Sequence, residues 1–316
     1  MNLYIFNSKI VKNPVVQSLI VTASFLAGYS LLYNFNILKS SEGFNQWQGN
    51  IVRLQRYAYD RHEKLNLVLV GSSLTANIPS DIIDRQTIGL GLNGGATQTG
   101  LEAVIRQDIK PKILLVEVNN TIDRKIDKQV IESNYNPFLY TLRHHAPIFR
   151  EEYKPSIQLI LMFDNIRNKF KKTPKPAEKP IDVDRADSQQ STEEHSSLSD
   201  TIVSQLIQSN SQPLSAKEKN LLTQEAEYIK SQITKIKRDG TQVILYNIPG
   251  DHRLENTLAV KQSQLLMKEL FPASNFEWLP EPPARKWQTR DGAHLIPSDA
   301  KVYAIFLKDR LQISAK

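Results

Sequence analysis

Apolar and polar positions along the chain fall into three patterns, and each predicts a different kind of element. The first is an uninterrupted stretch from Val15 to Tyr33, VVQSLIVTASFLAGYSLLY. It carries no charge over about 19 residues, close to what a helix needs to cross a bilayer. The second is a set of short runs rich in β-branched and aliphatic residues: Leu65 to Val70, Ile113 to Val118 and Val243 to Ile248. Runs of that length without alternation are what central parallel strands buried on both faces show. Helical stretches with interspersed charges surround them, at Asn45 to Tyr59 (apolar Ile51, Leu54 and Tyr57), Gln98 to Gln107 and Glu218 to Lys237. A last helix is expected from Pro297 to Leu311, with Ser298 or Asp299 near its start. Strand and helix in alternation predict an α/β domain, a parallel sheet covered by helices. The third pattern is the absence of one. Residues 169–219 contain KFKKTPKPAEKP and DRADSQQSTEEHSSLSD, with almost nothing to bury, and are expected to form a disordered insertion in which TIVSQLIQ makes at most a short helix.

These patterns divide the chain into a tail and membrane span (1–36), a membrane-proximal helix leading to the main domain (37–64), a first domain part (65–168), the insertion (169–219) and a second part (220–316). Lys9 and Lys12 precede the span, and the first charges after it are Lys39 and Glu42. By the positive-inside rule the N-terminus stays in the cytoplasm and the rest lies outside, on a single signal anchor. A cleaved signal peptide and a buried helix are the competing readings. Outside the cytoplasm nucleotide cofactors are scarce, which favours hydrolysis or group transfer and predicts no cofactor.

Composition narrows the chemistry. The 40 Lys and Arg against 33 Asp and Glu give a net charge of +7. That balance suits nucleic acid, anionic lipid or an acidic polymer. No basic helix with interleaved aromatics and no finger spacing is present, so nucleic acid is not expected as a partner. There is no cysteine, which removes disulfides, thiolate metal sites and a Cys nucleophile. His144 and His145 in TLRHHAP lack acids at ligand spacing and read as surface or loop residues, so no metal is expected. Asp123 and Asp127 read as a solvated face. Trp278 and Trp287, before Asp291, fit either a sugar-lining surface or core packing.

Three segments carry candidate chemistry. After the first strand the chain reads VLVGSSLT, which puts Ser73 on a strand-to-helix turn where free N–H groups face a developing oxyanion; a plain turn with a helix cap fits the same residues. The glycine-rich stretch GLGLNGGATQTGLEAVI begins at Gly89. It matches neither the phosphate-binding loop nor the dinucleotide fingerprint, leaving a backbone oxyanion donor as its useful role. In TRDGAHLIPSDA, Asp291 and His294 are three residues apart, so a carboxylate can orient an imidazole. Of six histidines, only His294 has an Asp at that spacing.

The order Gly71-Ser72-Ser73, then the Gly94 loop, then an Asn after a strand, then Asp291-x-x-His294, resembles the SGNH/GDSL hydrolase superfamily across nearly the whole extracytoplasmic domain. The resemblance implies a three-layer, flavodoxin-like α/β/α fold, with Ser73, Asp291 and His294 as triad. Ser72 stands where Asp is usual, as in GSS-type members, and the Asn77–Gly95 stretch resembles envelope-associated ones. The backbone N–H groups of Ser73 and Gly94 would serve the oxyanion. The third block departs from Gly-x-Asn-Asp: VEVNNTID offers Asn119 or Asn120. Anchored members that these features resemble add or remove acyl groups, commonly acetyl, on envelope polysaccharide, often beside a membrane-bound O-acyltransferase. The alternative from another class is a non-catalytic domain of this type that binds polysaccharide or scaffolds a biosynthetic complex, which the departure at the third block favours.

Overall fold

A computed structural model describes residues 13–43, 45–60, 65–171 and 200–311. Its centre is a five-stranded, all-parallel sheet: β1 (Leu67–Gly71), β2 (Thr87–Gly91), β3 (Ile113–Glu117), β4 (Gln242–Tyr246) and β5 (Glu277–Trp278), in the order β2-β1-β3-β4-β5. The alternating side chains of the central strands go to two separate cores, one on each face. Val68, Val70, Leu114 and Val116 join one, and Leu67, Leu69 and Leu115 the other. This double burial is why the strands read as continuous apolar runs.

The helices follow in chain order: α1 (Pro14–Asn34), α2 (Gln46–Tyr59), α3 (Ser73–Ala76), α4 (Ser80–Ile83), α5 (Thr97–Arg106), α6 (Lys128–Tyr135), α7 (Pro137–His145), α8 (Pro155–Lys171), α9 (200–209), α10 (Ala216–Arg238), α11 (His252–Glu255), α12 (Leu258–Leu270) and α13 (Pro297–Arg310). On one face α2, α5 and α10 pack with Leu54, Leu101 and Ile229, each fully buried; on the other Ile83 of α4 and Tyr303 and Leu307 of α13 do so. At α10, Ser215 and Glu218 form a reciprocal capping box, which fixes the helix start two residues earlier than its apolar periodicity suggests.

Three expectations change. The Asn45–Tyr59 helix is not a spacer between membrane and domain: Ile51, Leu54 and Tyr57 are core residues, so the domain begins at α2. The 169–219 insertion is narrower than its composition suggests. Residues 169–171 end α8, the short helix expected at TIVSQLIQ is present as 200–209, and the start of α10 is helical; residues 172–199 lie outside the described residues. Strands β2 and β5 complete the sheet beyond the three expected. The span from Val15 to Tyr33 falls within α1, which is long and apolar enough to cross a membrane and is scarcely covered by the domain. Lys9 and Lys12, on which the orientation argument rests, lie outside the described residues.

Candidate active site

Parallel strands leave their carboxyl ends on one edge of the sheet, and the candidate residues collect there. Register pairs Gly71, at the end of β1, with Gly91 at the end of β2, and Glu117 of β3 with Tyr246 of β4. The chain leaves β1 in a tight turn, with Ser72 capping α3 by accepting from the Leu74 N–H at 3.2 Å. Ser73 is the first residue of that helix. Its N–H has no partner among the described residues, as expected at a helix start.

Ser73 Oγ lies 2.8 Å from His294 Nε2, and His294 Nδ1 lies 2.7 Å from Asp291 Oδ2. Residues 221 positions apart in sequence are thus joined in one hydrogen-bonded chain. Donation from Nδ1–H to the carboxylate leaves Nε2 as the acceptor for the serine hydroxyl. The Asp291–His294 loop is organised by its own backbone: Asp291 Oδ1 accepts the Ala293 and His294 N–H groups, at 3.2 and 2.8 Å, and an isolated bridge joins Thr289 to Leu295. Gly292 takes a φ of +87°, the left-handed conformation that lets the loop close over three residues. Burial by itself raises the pKa of Asp291. The hydrogen bonds and charge of His294, with the Ala293 N–H, outweigh that and hold it at about 2.

Sequence reasoning missed Glu117. It ends β3, is fully buried, and its carboxylate organises the whole nucleophile turn. Oε2 accepts the Ser72 N–H at 2.9 Å and the Thr75 N–H at 3.2 Å, and also the Thr75 hydroxyl. Oε1 accepts from Ser72 Oγ and from Asn119 Nδ2, each at 2.7 Å. With the Thr75 proton given to Glu117, Thr75 Oγ1 accepts from Tyr246 OH at 2.5 Å. The tyrosine is held neutral, its pKa pushed far up by burial and by the nearby Glu117 charge. Gly71 is required beside this carboxylate: a Cβ there would stand 2.0 Å from Thr75 Oγ1 and 2.3 Å from Glu117 Oε2.

The third block resolves unequally. Asn119 is buried, gives one amide hydrogen to Glu117, accepts from Thr121 N at 2.8 Å, and lines a small cavity with Leu74, Gly292 and Ala293. Asn120 begins the short 3-10 turn Asn120–Asp123, and its side chain lies outside the described residues. Gly94, at φ +65°, follows β2 at the same sheet edge; its loop is tied to α2 by two bonds between Asn50 and Asn93, at 2.8 and 2.9 Å. A contact of Gly94 with Ser73 is not among these bonds.

The remaining candidates take no part in the hydrogen-bonded relay. Trp287 is buried against Tyr303 and Trp278 donates its indole N–H to Phe271 O, and both also line the cleft that holds Asn119, so packing and cleft lining are combined in them. His144 and His145 close α7; among the described residues no group of His and acids could hold a metal ion. Asp123 and Asp127 are exposed, the second capping α6 through the Val130 N–H. Two larger clefts lie beside Trp287. One of about 780 Å³ is lined by Asn77, Lys286, Arg290 and Lys301, among others; one of about 440 Å³ by Asn119, Asn247 and Trp278.

The chain matches no protein-family model, no curated protein and no solved structure.

Proposed function

We propose that the chain is a membrane-anchored, extracytoplasmic serine esterase or O-acyltransferase of the SGNH type, acting on acyl esters, acetyl above all, of a cell-envelope polysaccharide. The observation that carries this is the continuous Ser73–His294–Asp291 relay, with both links under 3 Å. The sheet order agrees with the flavodoxin-like topology expected for that type.

In the reaction, His294 Nε2 takes the hydroxyl proton as Ser73 Oγ attacks the acyl carbonyl. The resulting oxyanion is met by the free Ser73 N–H and the second Asn119 amide hydrogen, with Gly94 N–H as the third donor. Each such donor contributes about 3 kcal/mol to the transition state. Collapse breaks the ester bond, the departing alkoxide takes the proton from His294, and Ser73 keeps the acyl group. Water, deprotonated by His294, then releases a carboxylic acid; a sugar hydroxyl in its place receives the acyl group as a new ester. A membrane-bound O-acyltransferase is the fitting partner for the transfer version. The cations Lys286, Arg290 and Lys301 along the larger cleft suit an acidic polymer.

A non-catalytic polysaccharide-binding or scaffold role is the reading this proposal opposes. It gives no reason for a serine hydroxyl to meet a histidine already oriented by an acid. Hydrolysis of p-nitrophenyl acetate by the full-length protein in detergent micelles tests the proposal. Ser73→Ala and His294→Ala are each expected to lower kcat about a thousandfold or more. Absence of turnover in the unaltered protein favours the binding role.

A further inference from the structure

The apolar surface outside the span is concentrated on α8. Its first turn is fixed to the domain: Ile157 and Gln158 are buried, and Gln158 exchanges two hydrogen bonds with the backbone of Lys39, at 2.7 and 3.1 Å. The next two turns carry Leu159, Ile160, Met162 and Phe163, which are 54%, 46%, 58% and 68% exposed. At 100° per residue these four fall within one face of the helix. A monomeric soluble domain rarely leaves four neighbouring large apolar side chains in water.

The position of this face relative to α1 suggests what covers it. Tyr29 of α1 donates to Tyr153 O at 2.5 Å, and the Tyr33 ring packs edge-on against Tyr153. Tyr153 lies two residues before α8 begins. From Asn34, where the span ends, to Lys39, which Gln158 grips, only five peptide units intervene. Fully extended they reach about 17 Å. The start of α8 is therefore held within that distance of the outer end of the span. Phe35 and Ile37, 71% and 60% exposed, occupy the link itself. The last turns of α8 carry Arg167, Lys169 and Lys171 in sequence, the signs that match anionic head groups.

We propose that α8 is a second membrane contact, lying in the head-group region of the bilayer that α1 crosses, with its Leu159, Ile160, Met162 and Phe163 face toward the acyl chains. This rests on reading α1 as an anchor. Its Asp164, Arg167, Lys169 and Lys171 make α8 too charged to cross, so it lies along the surface. One span leaves a domain free to swivel; a second contact set beside it fixes which way the domain faces, and so the orientation of the Ser73 site toward the membrane.

Because the chain has no cysteine, a single one can be introduced for labelling. The test uses the full-length protein in phosphatidylcholine/phosphatidylglycerol vesicles. An environment-sensitive fluorophore is placed at Phe163→Cys, with Val21→Cys in α1 and Ser231→Cys on the exposed side of α10 as references. Expected is loss of the Phe163→Cys emission to nitroxides on the lipid acyl chains, with protection from aqueous iodide, while Ser231→Cys shows the reverse. Adding Met162→Glu should abolish the lipid quenching without changing ester hydrolysis. If Phe163→Cys is quenched by iodide while Val21→Cys is quenched by lipid, the anchor stands and this inference falls. Shielding of Phe163→Cys from both quenchers means that protein covers α8, and overturns it as well. If Val21→Cys itself escapes lipid quenching, the anchor reading fails first and takes this one with it.

Discussion

The two halves of the candidate relay are built in opposite ways. Ser73 projects from a turn whose neighbours Ser72, Thr75 and Glu117 are essentially inaccessible to solvent, and it is held by a carboxylate inside the sheet edge. Asp291 and His294 sit on a loop, with side chains 30% and 22% exposed. The loop is shaped by local turns and backed by α9, whose Val203 and Leu206 approach Gly292. One partner is thus fixed by the fold's core and the other by a surface loop resting on α9. Pre-organisation of a nucleophile needs an immobile anchor. A base that takes up and releases a proton gains from lying near solvent.

The contrast predicts that damage to the first half costs stability and chemistry together, while damage to the second costs chemistry first. The largest stability loss is expected from Glu117→Gln. An amide cannot accept at both ends, so at least two buried donors among Ser72, Thr75 and Asn119 go unpaired, at about 3 kcal/mol in urea unfolding. Ester hydrolysis should fall in the folded fraction too, since the Ser73 turn loses its template. Normal stability with normal turnover would remove Glu117 from the account.

Gly71→Ala comes next, at about 2 kcal/mol, because the new Cβ must displace Thr75 and Glu117. Val203→Ala, at a residue only 1% exposed, should cost about 1 kcal/mol and lower kcat severalfold by loosening the loop. If kcat is unchanged, α9 is a passenger.

The smallest effect is one of pH. Asp291 is held at about 2 against an ordinary value of about 3.9, so its charged form is favoured by folding. That contribution is fully present above about pH 4 and is lost as the pH falls toward 2. Allowing for screening at a partly exposed site, it is on the order of 1 kcal/mol. Asp291→Asn should flatten the acid limb of the stability profile in that window, while removing the group that orients His294.

Much of this was legible in the sequence, for reasons that differ from element to element. Strands β1, β3 and β4 are buried on both faces, so LVLV, ILLV and VILY stand out as unbroken apolar runs. β2 is written TIGLG, and its two glycines hide a strand that register with β1 makes plain. β5 is two residues long and has no pattern to detect. Asp291 and His294 were readable because both lie in one short loop, and Ser73 because a glycine ends its strand. Glu117 was readable in principle: a lone carboxylate inside ILLVEV, a strand expected to be covered on both sides, must find several donors. α9 was readable as the short helix at TIVSQLIQ, but its few apolar positions gain meaning only once Gly292 is known to lie against Val203 and Leu206.

The central claim is that Ser73 is a nucleophile activated by His294. The most direct measurement is covalent: incubate the full-length protein with a fluorophosphonate and locate the adduct by peptide mass spectrometry. The account predicts a single adduct on Ser73, absent in Ser73→Ala and greatly slowed in His294→Ala. An unmodified Ser73 in the folded protein, or labelling at the same rate without His294, would contradict it.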